Sequence, residues 1–569
     1  MCGILARLGS NKDPKDVKPF VRQLQARGPE GTQILHINDK VTFAFTRLAI
    51  NGLTEAGMQP YQKGSITWMC NGEIYNSKEL ESSLGLTNTG SDCECIGDLY
   101  LRHRNDLAAF ARSLDGVFAL ALYDDELKRF IVARDPHGVR PLFIASRPNL
   151  QVKYLTINNS QVPLYDGECH TFTFASEMKA LIPYFDLVQA FPPGHIQMYD
   201  SQTVRLIKDT QYYSIPWITN PQFRKTEPTG LQDAAVALRF ALEESVRKRM
   251  LTDRPVAALL SGGLDSSLIA SLVQKNLNQL NQPPLKTFSI GFEGSSDLKH
   301  AKLVANWIKS DHTEIIMTPD EFFNSIPEVI KVIESYDTTT VRASVGNFLI
   351  AKKIRELTDC KVVFNGDGAD ELFGGYLYFN NAPDTQSFHA ETARLLEDIH
   401  TFDVLRSDRS ISSNGLEART PFLDKQFVAV VRSIDPALLQ PVKGVQIEKH
   451  ILRYAFDDGV TLPPEVLLRR KEAFSDGVST PEKAWFQEIQ DRVKLIIPDD
   501  WKERSQLSYS KHLLPNTQEE FYYRFIFTTQ YGLNGIYATV PYRWMPKWCP
   551  ETNDPSARTL NVYSEDTDL

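Results

Sequence analysis

The stretch Val256-Ala257-Ala258-Leu259-Leu260-Ser261-Gly262-Gly263-Leu264-Asp265-Ser266-Ser267 constrains the fold of this chain more than any other. Its apolar start reads as a buried strand, and the glycine pair forces a tight turn into a helix that runs on from Leu268. A strand that ends in a sharp turn and feeds a helix is the repeating unit of doubly wound parallel sheets. Thr287-Phe288-Ser289-Ile290-Gly291 is a second such strand. Lys361-Val362-Val363-Phe364 is a third, ending in Asn365-Gly366-Asp367-Gly368-Ala369-Asp370-Glu371. Helical runs separate the strands, and the amphipathic run Leu231 to Met250 precedes the first. Ligands of such sheets bind beyond the carboxyl ends of the strands, where all three loops fall. Glycines let a backbone close on an anion, while serine hydroxyls and free helix N–H groups can hold phosphate oxygens. The lysine of the common nucleotide loop is missing. A plain strand-to-helix turn with a serine cap would not need all seven residues from Ser261 to Ser267.

The first 205 residues have a different texture. Val41-Thr42-Phe43-Ala44-Phe45, Gly116 to Leu122 and Arg129-Phe130-Ile131-Val132-Ala133 are short β-type runs bounded by turn or charged residues. Helical patterns are fewer, at Pro14 to Ala26 and Ser77 to Leu84, so layered sheets with flanking helices are expected. Met1-Cys2-Gly3-Ile4 places a cysteine where loss of the initiator methionine would leave a thiol and a free α-amine on one residue. The thiolate is the nucleophilic form, and an α-amine with a pKa of about 8 can take the thiol's proton. Residues 200–228 turn polar and broken, with Pro216, Pro221 and Pro228 close together, and 206–228 is the expected linker. From there to about residue 560 the pattern is α/β and then largely helical, and 561–569 reads as a loose polar tail.

Composition excludes several classes. A net charge of −9 and pI near 5.8 leave no basic footprint for nucleic acid. No run of about 18 apolar residues suggests a membrane span, and the start lacks the pattern of a signal peptide. Seven scattered cysteines, an odd number, fit a reducing, cytoplasmic setting better than a disulfide framework. Cys93-Glu94-Cys95 is too closely spaced for the usual zinc pattern and reads as structural.

The seven-residue turn resembles the loop of enzymes that cleave ATP between the α and β phosphates. Beyond it the likeness spans both halves of the chain. Met1-Cys2-Gly3-Ile4, Arg27-Gly28-Pro29, Arg47-Leu48-Ala49-Ile50, Asn71-Gly72-Glu73-Ile74-Tyr75-Asn76, Ser91-Asp92, Ala133-Arg134-Asp135-Pro136, Phe174-Ala175-Ser176-Glu177 and Phe191-Pro192-Pro193-Gly194 form one ordered series. Val341-Arg342-Ala343-Ser344, Gly415 to Asp424, Ile447-Glu448-Lys449-His450, Lys471 to Gly477 and Asp554 to Leu560 form another. Together they resemble the glutamine-hydrolysing asparagine synthetases. The resemblance implies a mixed α/β and α+β chain. Residues 2–205 would be a four-layer αββα N-terminal-nucleophile glutaminase domain. Residues 229–560 would be a doubly wound parallel-sheet ATP pyrophosphatase domain with a helical C-terminal part.

The roles that follow from the resemblance suit the chemistry of each residue. Cys2 would attack the glutamine amide, with the Asn71 side chain and the Gly72 N–H as the oxyanion hole. Arg47 would fork the substrate carboxylate, and Glu73 and Asp92 would hold its ammonium. Leu48, Ala49, Ile50 and Asn51 would complete that pocket. In the second half, ATP would activate the β-carboxylate of aspartate as an adenylate, and ammonia would attack it. Leu260, Ser261, Gly262, Gly263, Asp265, Ser266, Ser267, Ile290, Asn365 and Gly366 would hold ATP and pyrophosphate. Asp265 and Asp370 match the Mg2+ ligands of the family, and Lys449, with Arg453, would face phosphate or developing negative charge. Asp367 stands where the family uses a glutamate in forming and aminating the adenylate. The partners implied are glutamine, aspartate and ATP, with a homodimer as the assembly.

Three departures stand out. The loop usually reads Ser-Gly-Glu-Gly-Ser-Asp-Glu in this family, but here it is Asn365 to Glu371, with a carboxylate at Asp367 one methylene shorter. Thr46 replaces a residue that is commonly charged. Residues 148–170 look longer than the usual hairpin and are expected to form a surface insertion. Other glutamine amidotransferases share the Cys2 domain with sugar-isomerase or phosphoribosyltransferase partners, which the pyrophosphatase loop opposes. A β-lactam-synthetase-like enzyme shares both folds but typically lacks the N-terminal cysteine.

Overall fold

The computed structural model describes residues 1–9, 16–86, 90–148, 153–157, 160–164, 169–185, 187–217, 220–480, 482–509, 512–533 and 539–560, with side chains for all of these outside 147–170. The chain divides into two compact units. One is Met1–Ser214 with Ser412–Leu416 and Phe527–Pro541; the other is Ile215–Ile411 with Glu417–Ile526 and Tyr542–Leu569.

The first unit is built on two six-stranded antiparallel sheets. In one, strand Gly3–Gly9 lies between Val41–Arg47 and Cys169–Ala175. In the other, Ile66–Ile74 pairs with Gly116–Asp124, which pairs in turn with Arg129–Arg134. Side chains alternate along each strand, so Ile4, Ala6 and Leu8 meet Met69, Ala119, Ala121 and Val132 in an apolar layer between the sheets. The opposite face of the second sheet carries Trp68, Cys70, Phe118 and Leu120. These pack against helices Ser77–Leu84, Cys95–Arg102 and Leu107–Ser113. The sheets thus sit face to face with helices outside them, as a four-layer fold requires.

Two sequence expectations differ in detail from this unit. Arg205–Gln211, inside the stretch read as linker, is an edge strand paired with His195–Asp200. It is exposed along nearly its whole length, so it carries no apolar alternation for a sequence reading to detect. The helix expected over 14–26 is shorter, Lys18–Arg22, followed by turns to Arg27; residues 10–15 lie outside the described residues. Within the segment 148–170, Lys153–Ile157 pairs antiparallel with Ser160–Leu164 as a separate two-stranded sheet. The tail 561–569 lies outside the described residues.

The second unit carries a five-stranded, wholly parallel sheet. Its order is Asp311–Ile316, Lys286–Gly291, Val256–Leu259, Val362–Phe364, Glu417–Arg419. The first strand in sequence is central, with the second on one side and the fourth on the other. The order therefore reverses between Val256–Leu259 and Val362–Phe364, and a crevice opens at that switch point. Helices Leu264–Gln279 and Thr338–Leu357 flank it. Among the described residues no helix is long and apolar enough to cross a membrane.

Candidate active sites

In the first unit the site is set by strand phase. Ile66, Trp68, Cys70 and Ile74 pack with the cluster on the helix side, whereas Met69 joins the inter-sheet layer. The same alternation places Asn71 and Glu73 on the side of Met69, toward the sheet whose first strand follows Cys2. The Asn71 amide is fully buried, and neither Oδ1 nor Nδ2 has a hydrogen-bond partner among the described residues. A buried polar group left unmade costs about 1–3 kcal/mol. Its persistence in a close-packed interior points to a ligand that completes it.

The Cys2 thiol lies against the turn that follows strand Val41–Arg47. It accepts from the Leu48 N–H at 3.4 Å and approaches the Leu48 carbonyl at 3.5 Å. Further along this turn Ala49 N–H donates to Glu30 at 2.8 Å, and Asn51 Nδ2 donates to Glu73 Oε2 at 2.5 Å. Asp92 reaches strand Ile66–Ile74 from the neighbouring loop, accepting from the Ile74 N–H at 2.7 Å. Arg47 is buried and donates to the carbonyls of Thr54, at 2.8 Å, and Gly52. Cys2, Leu48, Asn51, Glu73 and Asp92 are thus linked through one hydrogen-bonded neighbourhood, in which Asn71 lies on the strand between them.

Arg27 is a part of this site whose position sequence reasoning did not assign. Its Nε donates to the Cys2 carbonyl at 2.9 Å, and NH1 reaches Glu177 at 3.1 Å and Ser412 at 3.0 Å. It fixes the backbone at the thiol, and its partner Glu177 lies 150 residues away in sequence. With Met1 attached, the Cys2 nitrogen is in a peptide bond and the terminal amine belongs to Met1, which donates to the Leu416 carbonyl at 3.1 Å.

The site of the second unit lies at the switch point. It is a cleft of about 190 Å³ lined by the Leu260 to Ser266 turn, Ile290, the Asn365 to Glu371 loop and the Lys449 and Lys471 side chains. Gly262 takes a φ of +73°, and a Cβ there would strike the backbone of His300 and Ala301, so the turn admits no larger residue. Ser261 and Ser266 hydroxyls bond each other at 3.0 Å, and Ser261 Oγ accepts from the Gly263 N–H at 3.3 Å. Helix Leu264–Gln279 then begins with its N-terminus at the cleft.

Four charged groups meet here. Lys449 Nζ is 2.6 Å from Asp265 and 2.5 Å from Asp370, and Lys471 Nζ is 2.6 Å from Asp370 and 4.0 Å from Asp265. Burial works against ionisation of Asp370, but the two ammonium groups hold its carboxyl well below the usual carboxylate range. Burial likewise works against the Lys471 charge, and Asp370 with Asp265 outweighs it and pushes that ammonium up. Lys449 caps helix His450–Ala455 with a left-handed backbone, φ 58° and ψ 26°. A non-glycine residue there costs about 1–2 kcal/mol, strain that fits a side chain needed in that place.

The donor set fits a hard divalent cation. Asp265 Oδ1 is buried without a hydrogen-bond partner among the described residues, and both carboxylates are oxygen ligands of the kind Mg2+ takes. No group of three or more His, Cys, Asp or Glu ligands gathers anywhere among the described residues. Phosphate oxygens and water would therefore complete the coordination, as is usual for this ion.

Lys471, Arg406 and Asp403 are cleft residues that sequence reasoning did not single out. Arg406 NH2 lies 3.4 Å from Asp367 and 3.1 Å from Asp403. Burial raises the Asp367 carboxyl above its usual range despite Arg406. Glu371 is raised well above its range by burial together with Asp403 and Asp370, and accepts a hydrogen bond from the Tyr376 hydroxyl. Arg453 bonds Glu448 at 2.5 Å and the Leu467 carbonyl, buttressing the Lys449 turn.

Residues 1–233 match the glutamine amidotransferase domain model, and 237–387 with 380–529 match the asparagine synthase model. Over 578 residues the chain is 39% identical to asparagine synthetase [glutamine-hydrolyzing] of Gallus gallus, covering 99% of each. The enzymes of the same name from Cricetulus griseus and Homo sapiens are 38% and 37% identical, again over 99% of each chain. Fold, sites and these matches define an amidotransferase-type ligase. The chain belongs to the glutamine-hydrolysing asparagine synthetase family.

Proposed function

We propose that this enzyme makes L-asparagine from L-aspartate with ammonia taken from L-glutamine, through a β-aspartyl-adenylate, releasing AMP, pyrophosphate and glutamate. The observation that carries the reading is the Asp265–Lys449–Asp370–Lys471 cluster at the end of the Ser261 to Ser267 turn. It is a buried set of matched charges suited to exchanging partners with a polyphosphate.

In the glutaminase half, loss of Met1 frees the Cys2 amine, which takes the thiol proton. The thiolate attacks the glutamine carboxamide, and the buried Asn71 Nδ2 with the Gly72 N–H receives the developing oxyanion. Such a donor, set in place before the reaction, contributes about 2.7–4 kcal/mol. Arg47 takes the substrate carboxylate, and Glu73 with Asp92 takes its ammonium. Leu48, Ala49, Ile50 and Asn51 close the pocket, and Arg27 keeps the Cys2 backbone in place.

In the synthetase half, Asp265 and Asp370 would hold Mg2+, which neutralises polyphosphate charge when bound. Lys449 and Lys471 turn from the aspartates to phosphate oxygens as ATP enters, so the ligand meets cations already desolvated. Leu260, Ile290, Asn365 and Gly366 enclose the nucleotide, with Gly262, Gly263, Ser261, Ser266 and Ser267 at the pyrophosphate. Asp367 acts at the aspartate end, where the adenylate forms and is aminated. Family membership extends the reading to a cytoplasmic homodimer. The test is to incubate the enzyme with ATP, Mg2+, aspartate and amide-labelled glutamine. Labelled asparagine with equimolar AMP and pyrophosphate is expected, whereas ADP or an unlabelled product would refute the reading.

A further inference from the structure

Asn365 follows strand Val362–Phe364 and is buried. Its Nδ2 donates to Asp367 Oδ2 and to Ser407 Oγ, each at 2.7 Å. The other Asp367 oxygen, Oδ1, faces Arg406 NH2 at 3.4 Å. Both oxygens of this carboxylate are therefore directed by fixed partners, an amide on one and a guanidinium on the other.

The backbone between the two residues has little freedom to move. Asn365 N–H donates to the Arg419 carbonyl at 3.1 Å, tying it to the sheet. At Gly366 a Cβ would already lie 2.8 Å from the Ser266 nitrogen and 2.9 Å from the Asp265 carbonyl carbon. With the loop pressed this closely on the Ser261 to Ser267 turn, the reach of the Asp367 carboxylate has to be set by side chains. Asparagine extends one heavy atom further than serine, and aspartate one less than glutamate. Each such step is about 1.5 Å, so an Asn–Asp pair has the same combined length as a Ser–Glu pair.

We infer that Asn365 and Asp367 work as one unit, in which Asn365 is a positioning residue that fixes where Asp367 presents its charge in the cleft. This rests on the reading that Asp367 takes part in the synthetase reaction. Ser407 anchors the amide from behind, so the Asn365 side chain has a single productive orientation. Replacing either member alone breaks the match of lengths. A serine at 365 leaves the carboxylate unheld, and a glutamate at 367 meets an amide that already occupies its space. Replacing both restores a pair of the same total reach.

The test is a double-mutant cycle in the full-length chain, with Asn365→Ser, Asp367→Glu and the two combined. Ammonia-dependent asparagine formation is measured as kcat and as KM for ATP and aspartate, alongside glutaminase rate and thermal unfolding. Each single change is expected to lower kcat on the order of tenfold to a hundredfold, a larger effect than any change it makes in KM for ATP. The double variant is expected to recover most of that loss. Losses that simply multiply in the double variant, or an Asn365→Ser enzyme with parental kcat, would overturn the pairing. Should Asn365→Ser fail to fold, Ser407→Ala replaces it by removing the amide's second anchor; lowered kcat supports the inference and parental kcat overturns it. Asp367→Asn separates the two levels. Full synthesis in that variant refutes a role for Asp367 in the reaction, whereas a dead Asp367→Asn with a multiplicative cycle refutes only the pairing.

Discussion

In the first unit the buried Asn71 amide has neither polar atom hydrogen-bonded among the described residues, whereas in the second Asp265, Asp370, Lys449 and Lys471 pair with one another across 2.5–4.0 Å. The proposed function accounts for the difference by what each site would receive. A neutral carboxamide gains charge only as it reacts, so its partner can wait as an uncharged donor at about 1–3 kcal/mol. A polyphosphate would arrive fully charged, and lysines that are to meet it cannot wait alone in a buried cleft. An isolated buried charge would neutralise by shifting its pKa. The aspartates that would hold Mg2+ serve as counter-ions in the meantime. One site is preorganised by an unmade hydrogen bond, and the other by ion pairs ready to exchange.

The sharpest way to break this comparison is to disable one site and read the other. Cys2→Ala is expected to lower glutamine-dependent asparagine formation by more than about 10⁴-fold, since it removes the attacking thiol. Ammonia-dependent formation should persist at the parental rate, because the two chemistries occupy separate units. Residual glutaminase in this variant would remove the thiol from the mechanism. Mass spectrometry of the active enzyme with Met1 still attached would remove the free amine.

Asp265→Asn attacks the other side. It leaves Lys449 with Asp370 as its counter-ion and takes a carboxylate from the metal pair. Asparagine formation with either nitrogen source should fall by about 10³-fold, the scale of losing a main electrostatic element. Glutamine hydrolysis should continue. Calorimetric titration of Mg2+ with a non-hydrolysable ATP analogue gives a second readout, in which heat should weaken in parallel. A variant with parental synthesis and parental Mg2+ binding would leave Asp265 a turn residue.

Asn71→Ala sharpens the contrast more gently. Removing one oxyanion donor costs about 10²–10³ in kcat. Because the Asn71 amide makes no hydrogen bond among the described residues, its removal should also leave thermal stability unchanged or raised. A comparable truncation in an interior normally destabilises. Lower kcat with equal or higher melting temperature is the expected signature. A large stability loss with unchanged glutaminase kcat would show that the amide is a packing element.

What the sequence could reveal follows the range of each interaction. Strand-to-turn-to-helix units were legible because their signals are local, and Val256–Leu259, Lys286–Gly291 and Val362–Phe364 fall where the apolar runs end in glycine turns. The exposed edge strand Arg205–Gln211 gave no such signal. Asp265, Asp370 and Lys449 stand out through the family pattern, and the fold brings them together across 184 residues of chain between Asp265 and Lys449. Lys471 stands in a family-like segment that gives it no role of its own, and Arg406, a lone charged residue, reads in sequence as a solvated surface group. Arg27 sat in a quoted motif, but its hold on Cys2 depends on tertiary packing. The Asn365–Asp367 bond was nearest to being readable. The departures of this loop from the family pattern are visible in the residues, yet the direction of the Asn365 amide is a fact of structure.

The smallest expected effect concerns pH. Burial pushes the Asp297 carboxyl up to about 6 even with Arg469 at 2.8 Å, and Asp337 and Asp476 are likewise pushed to about 6 by burial. All three lie in the second unit. A carboxyl whose folded pKa exceeds its unfolded value of about 3.9 binds more protons when folded, so its contribution to stability falls as pH rises. The fall runs between about pH 4 and pH 6 and then levels off, because above that window both states are ionised. Asp370, whose carboxyl is lowered, works the other way, and its contribution levels off above its unfolded value of about 3.9, so it changes little across this window. Asp297→Asn should therefore flatten the decline of the second unit's melting temperature between pH 4 and 6, by a few degrees at most. The neighbouring Glu472, 3.1 Å from Arg469, keeps that guanidinium paired in the variant. Calorimetric scans of parent and variant across this window, read on the transition of the second unit, decide the matter. Parallel slopes in the two proteins would mean that Asp297 is ionised at low pH in the folded chain, and that the Arg469 pair outweighs its burial.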